Sequence, residues 1–316
     1  MLSVLFVCVI AAADWLSASA DPRHTRSQPA EQELSFATVG GLKLLWKFNF
    51  EERITAPVVL GPIFTHRGIK ELVFVAGAQN NLYSVDADLG RLFWKRHFDV
   101  PASDCKTGLT AAPVLAPYNG PPPEGDDAST PRRSLFVLTS DGQLHTVRPA
   151  DAKDLTVPEK FLTPGSIASD LTLTSRVIST YVSGGCGARP TGEYSLTLSG
   201  AIRLVMSTAP PEPKAAVWQG IRIAASGGSL AAVERDHPLW VLADLADPIP
   251  PVAANGLVFT VIGTKLLALE IASGNQVFES AANGTEPAQD SLAVANGHIY
   301  FVAGKTLYCY GFPIEI

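Results

Sequence analysis

The densest polar cluster in the chain is Glu234-Arg235-Asp236-His237. Carboxylates spaced like Glu234 and Asp236 can supply a general base or oxygen ligands for a metal ion. The alternative is a charged loop, which is the commoner use of such a run. Two further residues could meet a bound cofactor. Asp170 stands just before the run LTLTSRVIST, and Arg222 lies inside the apolar run WQGIRIAAS. A cation among apolar residues could contact an anion in a channel, or could simply occupy a strand edge. His97, His145 and His298 lack the spacing of metal ligands.

Other chemistries are not encoded. There is no CxxC pair for zinc or thiol–disulfide exchange, and no CxxCH for covalent haem. No Gly-x-Ser-x-Gly occurs, and no Walker loop. Gly184-Gly185-Cys186-Gly187 is glycine-rich, but no helical pattern follows it, so it does not read as a phosphate loop. With 24 Lys and Arg against 30 Asp and Glu, the net charge is −6. The nearest basic pairs, Lys95-Arg96 and Arg132-Arg133, have no basic neighbours, so no nucleic-acid partner is expected.

The ends of the chain differ in kind. The run LSVLFVCVIAAA (2–13) is apolar but too short to span a bilayer, and Ala18-Ser19-Ala20 follows as a small-x-small site. Residues 1–20 are therefore read as a signal peptide cut after Ala20, although no Lys or Arg precedes the apolar run. That places the protein outside the cytoplasm, periplasmic or secreted. Residues 21–42 are polar and aperiodic and are read as a flexible lead, with one domain over 43–316. No later stretch predicts a transmembrane segment. Export permits a disulfide, and Cys105–Cys186 is the candidate pair. Cys309, in LYCYG, reads as a small packed hydrophobe.

The elements that must position these residues are strands. KELVFVAGAQNNLYSVDA (70–87) reads as two apolar strands around a polar turn. RRSLFVLTSDGQLHTVRP (132–149), NGLVFTVIGTKLLALEIASG (255–274) and NGHIYFVAGKTLYCYG (296–311) repeat that layout. A short strand precedes several hairpins, as in APVVLG (56–61), APVLAP (112–117) and PPVAANG (250–256). RLFWKRHF (91–98) follows one as a fourth strand. No long stretch carries a helical period.

The segment VDADLGRLFW (85–94) has a second copy at LEIASGNQVF (269–278). Asp86 corresponds to Glu270, Gly90 to Gly274, and Trp94 to Phe278. Such matches at fixed spacing mark an internal repeat. The glycine serves the turn into the fourth strand, and the aromatic can wedge between adjacent sheets. The pattern predicts an all-β fold, a β-propeller of four-stranded antiparallel blades. About six blades are counted, seven or eight being the alternatives. The last unit has only three clear strands. LLWKFNF (44–50) resembles FWKRHF (93–98) and would supply the fourth, closing the ring with the C-terminal blade.

VDADLGRLFW resembles the repeat of propellers that bind pyrroloquinoline quinone, in which Ala-x-Asp-x-x-Thr-Gly-x-x-x-Trp ends each blade. Asp86, Gly90 and Trp94 match, and Leu89 stands where Thr is usual. SGGCGARPTGEYSLTL (183–198) is similar to the Gly-Cys-Gly loop of a bacterial exported branch, and residues 296–316 are similar to that branch's end. The resemblance implies a choice of roles. One is a non-catalytic scaffold binding a small molecule or a protein at the propeller axis. A second is an alcohol or sugar dehydrogenase using pyrroloquinoline quinone and Ca²⁺. A third is an envelope-assembly scaffold, like the propeller of the outer-membrane barrel assembly machine. The adjacent cysteines that often lie beneath the quinone in dehydrogenases of this type are missing here.

Overall fold

The computed structural model describes residues 12–101, 111–118, 133–186, 190–198, 202–205 and 214–313. The apolar runs form strands, and the described residues hold six sheets, antiparallel except for one two-residue strand, and a single short 3₁₀ turn, Val39–Gly41. No helix among them is long and apolar enough to cross a membrane.

The first sheet runs Val58–Thr65, Gly68–Gly77, Asn81–Asp86, Arg91–His97, each strand beside the next. The second consists of Val114–Pro117, Arg133–Leu138, Gln143–Val147 and the short Glu159–Lys160. In the third, the leading strand is split. Ser166–Ala168 and Thr172–Thr174 both pair with Val177–Gly185, which is followed by Gly192–Thr197 and Ile202–Val205. The fourth sheet contains Ala215–Trp218, Ile221–Ser226, Ser229–Glu234 and His237–Leu242. The fifth contains Val252–Ala254, Leu257–Ile262, Lys265–Glu270 and Gln276–Glu279. The sixth contains Ala293–Ala295, His298–Ala303 and Thr306–Gly311, and its outer strand is Lys43–Asn49 from the other end of the chain. Leu44 lies opposite Tyr310 and Phe48 opposite Leu307 in that pairing.

The central strands of the first, fifth and sixth sheets are buried on both faces, which is why they read as near-continuous apolar runs. In the first sheet Val73, Val75 and Val85 pack into one core with Tyr300, Val302 and Tyr310 of the sixth. The alternate residues Leu72, Phe74 and Leu82 pack with Leu115, Leu135 and Val137 of the second. Phe136 and Leu138 then turn to Ile178 and Tyr194 of the third. The fifth sheet likewise gives Leu257, Phe259 and Val261 to the sixth, and Val258, Leu267 and Leu269 to the fourth. Side chains alternate in direction along a strand, so one sheet can serve two cores. Burial of each such Val, Leu or Phe contributes about 1.5–3 kcal/mol. The leading strands of neighbouring sheets also lie side by side, the first beside the second and the sixth, the fifth beside the fourth and the sixth.

Candidate functional site

Residues 13–34 run along the space between the leading strands. Trp15 bridges Val59, with Trp15 N donating to Val59 O at 3.0 Å and Val59 N returning to Trp15 O at 2.8 Å. Leu115 N donates to Leu16 O, and Val217 N to Thr25 O. Ser27–Gln28 forms a short parallel pairing with Ala253 and Ala254. Four leading strands thus have part of their free edge capped by one segment, which satisfies backbone groups that would otherwise lack partners. The indole of Trp15 is fully buried, and Ala18 packs against Ala56 and Ala112. Farther along, Glu31 accepts from the backbone N–H of Gly297, Glu33 and Leu34. Residues within 21–42, expected as a flexible lead, make several of these contacts. Polar residues such as Arg26, Gln28 and Glu31 are buried here because strand edges and turns supply their partners.

At one end of the segment the charges form a closed network. Arg26 is 1% exposed; its Nε donates to Pro251 O and its Nη2 to Pro250 O, both at 2.9 Å. Arg26 Nη1 lies 3.1 Å from Asp290 Oδ1. Lys214 Nζ joins Asp290 at 2.6 Å to Asp170 at 3.1 Å. These residues stand just ahead of the leading strands of the third, fourth, fifth and sixth sheets. Burial alone would raise the Asp290 pKa, but the Arg26 and Lys214 charges outweigh it and hold the carboxyl below its ordinary value. Burial also works against the Lys214 charge, but Asp170 and Asp290 more than offset it and raise the Lys214 pKa.

At the segment's start the balance is reversed. Asp14 Oδ1 accepts from Gly61 N at 3.0 Å, and Arg133 Nη2 lies 3.6 Å from its other oxygen. Gly61 sits against Glu71, so closely that a Cβ there would come within 2.6 Å of its side chain. Burial pushes the Glu71 pKa up to about 8, helped by the Asp88 and Asp14 charges and opposed by Asn296 and Tyr300. Burial raises that of Asp14 as well. Asn296 Oδ1 accepts from Ala13 N at 2.6 Å, and the Asn296 side chain favours the charged form of Glu71.

The sequence candidates fall in different places. Asp170 belongs to the charge network. Arg222 is exposed on the second strand of the fourth sheet, opposite Val217 and Val233, and is not brought to the network. Glu234 faces His237 across a tight turn whose central residues, Arg235 and Asp236, have φ of 47° and 67°. Glu234 and Asp236 therefore sit in a hairpin turn, and among the described residues no three His, Cys, Asp or Glu converge as metal ligands. Cys186 is disulfide-bonded and Cys309 is a buried free thiol. The expected partner, Cys105, lies outside the described residues, as does Cys8.

The repeat residues join sheets. Gly90 and Gly274 have φ of 60° and 73°, and each lies against an indole from the neighbouring sheet, Trp46 and Trp240 respectively. Trp46 Nε1 donates to Ala87 O, and Trp240 Nε1 donates to Ile271 O, both at 2.7 Å. Trp94 Nε1 donates at 3.0 Å to Pro149 O, in the turn after the second sheet's strand Gln143–Val147. Asp86 accepts from the N–H groups of Asp88 and Leu89 and pairs with Lys70 at 2.8 Å. Glu270 occupies the same turn position, and Phe278 packs against the core shared with the sixth sheet. Sequence reasoning missed Arg26, Asp290, Lys214, Asp14 and Glu71. The one available signal was Trp15, a large apolar residue just outside the leader-like run.

No family model matches the chain, and no curated protein does either. Among solved structures, quinohemoprotein alcohol dehydrogenase from Comamonas testosteroni superposes with a TM-score of 0.58 at 10% identity, over 96% of this chain and 81% of that one. BamB from Moraxella catarrhalis gives 0.35 at 12% identity, over 86% and 100%. A europium-containing methanol dehydrogenase gives 0.43 at 13% identity, over 87% of this chain and 58% of that one. The first superposition carries the fold, and at that identity the fold alone: the chain has the β-propeller fold.

Proposed function

We propose that this is an exported, non-catalytic propeller that serves as a scaffold for binding a small molecule or a protein. In this reading six blades form the ring, closed by Lys43–Asn49 on the C-terminal blade. The ion pair of Asp170 with Lys214 ties the third sheet to the fourth. The ligand is met at the mouth of the axis, on the side of Asp170, Lys214 and Asp290. The Cys186 disulfide supports an oxidising compartment, with Cys105 as partner.

The observation that carries the non-catalytic reading is the charge network. A quinone dehydrogenase needs cations free to hold an anionic cofactor and a carboxylate free to take a proton. Here Arg26, Lys214, Asp170 and Asp290 are engaged with one another. Isothermal titration with pyrroloquinoline quinone and Ca²⁺, followed by dye reduction over an alcohol and sugar panel, tests this. No quinone binding and no turnover are expected. Stoichiometric binding with turnover would establish the dehydrogenase instead.

A further inference from the structure

A strand at a sheet edge presents unpaired N–H and C=O groups, and charged side chains there keep other chains from pairing with it. Lys95, Lys160, Arg203, Glu279 and Lys47 lie in the outermost strands of the first, second, third, fifth and sixth sheets. The fourth sheet ends differently, on His237–Leu242, whose sequence HPLWVL contains no Lys, Arg, Asp or Glu. Among the described residues this strand pairs only with Ser229–Glu234, so its other edge is free. Leu239 and Val241 on it are 42% and 59% exposed. Pro238 lacks an N–H, which leaves 239–242 as the stretch able to pair.

The sheet face beside that edge is uncovered as well. Trp240 and Leu242 pack with Leu230 into the core shared with the fifth sheet. Val241 points the other way, opposite Ala231 and, one strand further in, Ala224. No core of described residues joins that face to the third sheet, and Val217 on it is 41% exposed. Charge decides the occupant. Glu234 and Asp236 stand at the start of the strand, Asp244 and Asp247 beyond its end, and Arg235 is the one Lys or Arg in 234–247. A second copy laid antiparallel would bring these acids together and repel. A strand with Lys or Arg at both ends meets them with opposite charge. Arg222 lies two strands in, about 10 Å from the edge strand, away from those ends. We propose that His237–Leu242 is a docking edge for an extended segment of a partner protein, apolar at alternate residues and flanked by Lys or Arg. That segment adds a fifth strand to the fourth sheet. The edge is on the far side of the sheet from the axis and does not depend on a ligand there.

The probe is a labelled peptide, Lys-Lys-Val-Thr-Val-Thr-Val-Lys-Lys, titrated with the purified protein by fluorescence anisotropy. Saturable binding is expected, and its absence would overturn the inference while leaving the axial reading standing. The same peptide with proline as its central residue keeps the charge but cannot pair as a strand. It should bind at least about tenfold more weakly, and equal binding of the two peptides would sink the added strand. Val241→Glu separates edge docking from loose attraction of charge. It adds an acid at the apolar contact, so docking should weaken by at least about tenfold, whereas mere attraction of the cationic peptide should strengthen. Val241 is exposed, so the thermal midpoint of the variant should match that of the wild type. Leu239→Glu, with the same expected loss, replaces it if that midpoint falls. Sedimentation of the protein alone should show a monomer. A dimer that Val241→Glu dissociates would mean that a second copy takes the edge, against the inference.

Discussion

Gly90 has two reasons to be glycine, and they can be separated by substitution. Its φ of 60° disfavours any side chain, and a Cβ would come within 2.4 Å of the Trp46 ring. Gly263 has a φ of 61° but nothing within 4 Å of its Cβ position. Gly263→Ala should therefore cost about 1 kcal/mol from backbone strain. Gly90→Ala should cost about 1–3 kcal/mol more, because the indole must move. Urea midpoints of the two variants check the difference, and equal midpoints would mean that Trp46 yields freely. Asp290 is a second residue with a definite expectation. Its pKa is lower in the fold than in the unfolded chain, so folding releases protons there. That contribution is full above the unfolded pKa, near the ordinary Asp value, and is lost as pH falls through the lower folded value. Asp290→Asn also leaves the buried Arg26 without its counter-charge, at a cost of about 3 kcal/mol at pH 7. The gap between wild type and Asp290→Asn should narrow as pH is taken from 7 toward 3. A gap that stays constant would show that Asp290 gains nothing from ionising.

The sequence shows its strands clearly and the segment 13–34 poorly, for a physical reason. Strands buried on both faces must be apolar throughout, so KELVFVAG and GLVFTVIG stand out from their flanks. The outer strand Lys43–Asn49 was legible because its Trp46 repeats the place of Trp94. The stretch from Asp14 to Leu42 is held largely by hydrogen bonds to strand edges and turns, which leave no hydrophobic period to read. Arg26 looks like a solvated charge in DPRHTRSQ, and its partners Pro250, Pro251 and Asp290 lie more than two hundred residues away. The same holds for Glu71, which reads as an ordinary strand-edge acid until Asp14 is laid beside it. One element-scale consequence separates a packed segment from a flexible lead. Trp15→Ala should destabilise the protein by about 3–5 kcal/mol, as expected for truncating a fully buried indole. Chemical denaturation of the chain retaining residues 12–42 measures it. An unchanged midpoint would return the segment to the status of a loose lead.

At the scale of the whole molecule, the disulfide and the leader constrain each other. Cys186 is bonded and Cys309 is free, so the partner is Cys8 or Cys105. Cys8 lies inside the run 2–13, upstream of the cleavage site expected after Ala20, and a bond to it would hold the proposed leader on the protein. The proposed export with leader removal therefore requires Cys105. That bond would join the approach to the second sheet's leading strand to the end of the third sheet's long strand, Val177–Gly185. The loop it closes is long, about eighty residues, and chain-entropy arguments put its upper contribution at about 4.5 kcal/mol. Cys105→Ser and Cys186→Ser should each lower the denaturation midpoint to the value the wild type shows under reductant. Neither variant should respond to reductant further. Cys8→Ser should match the wild type in both conditions. If Cys8→Ser behaves instead like Cys186→Ser, the bond runs to the proposed leader, residues 1–20 are retained, and the protein stays tethered to the segment that would have exported it.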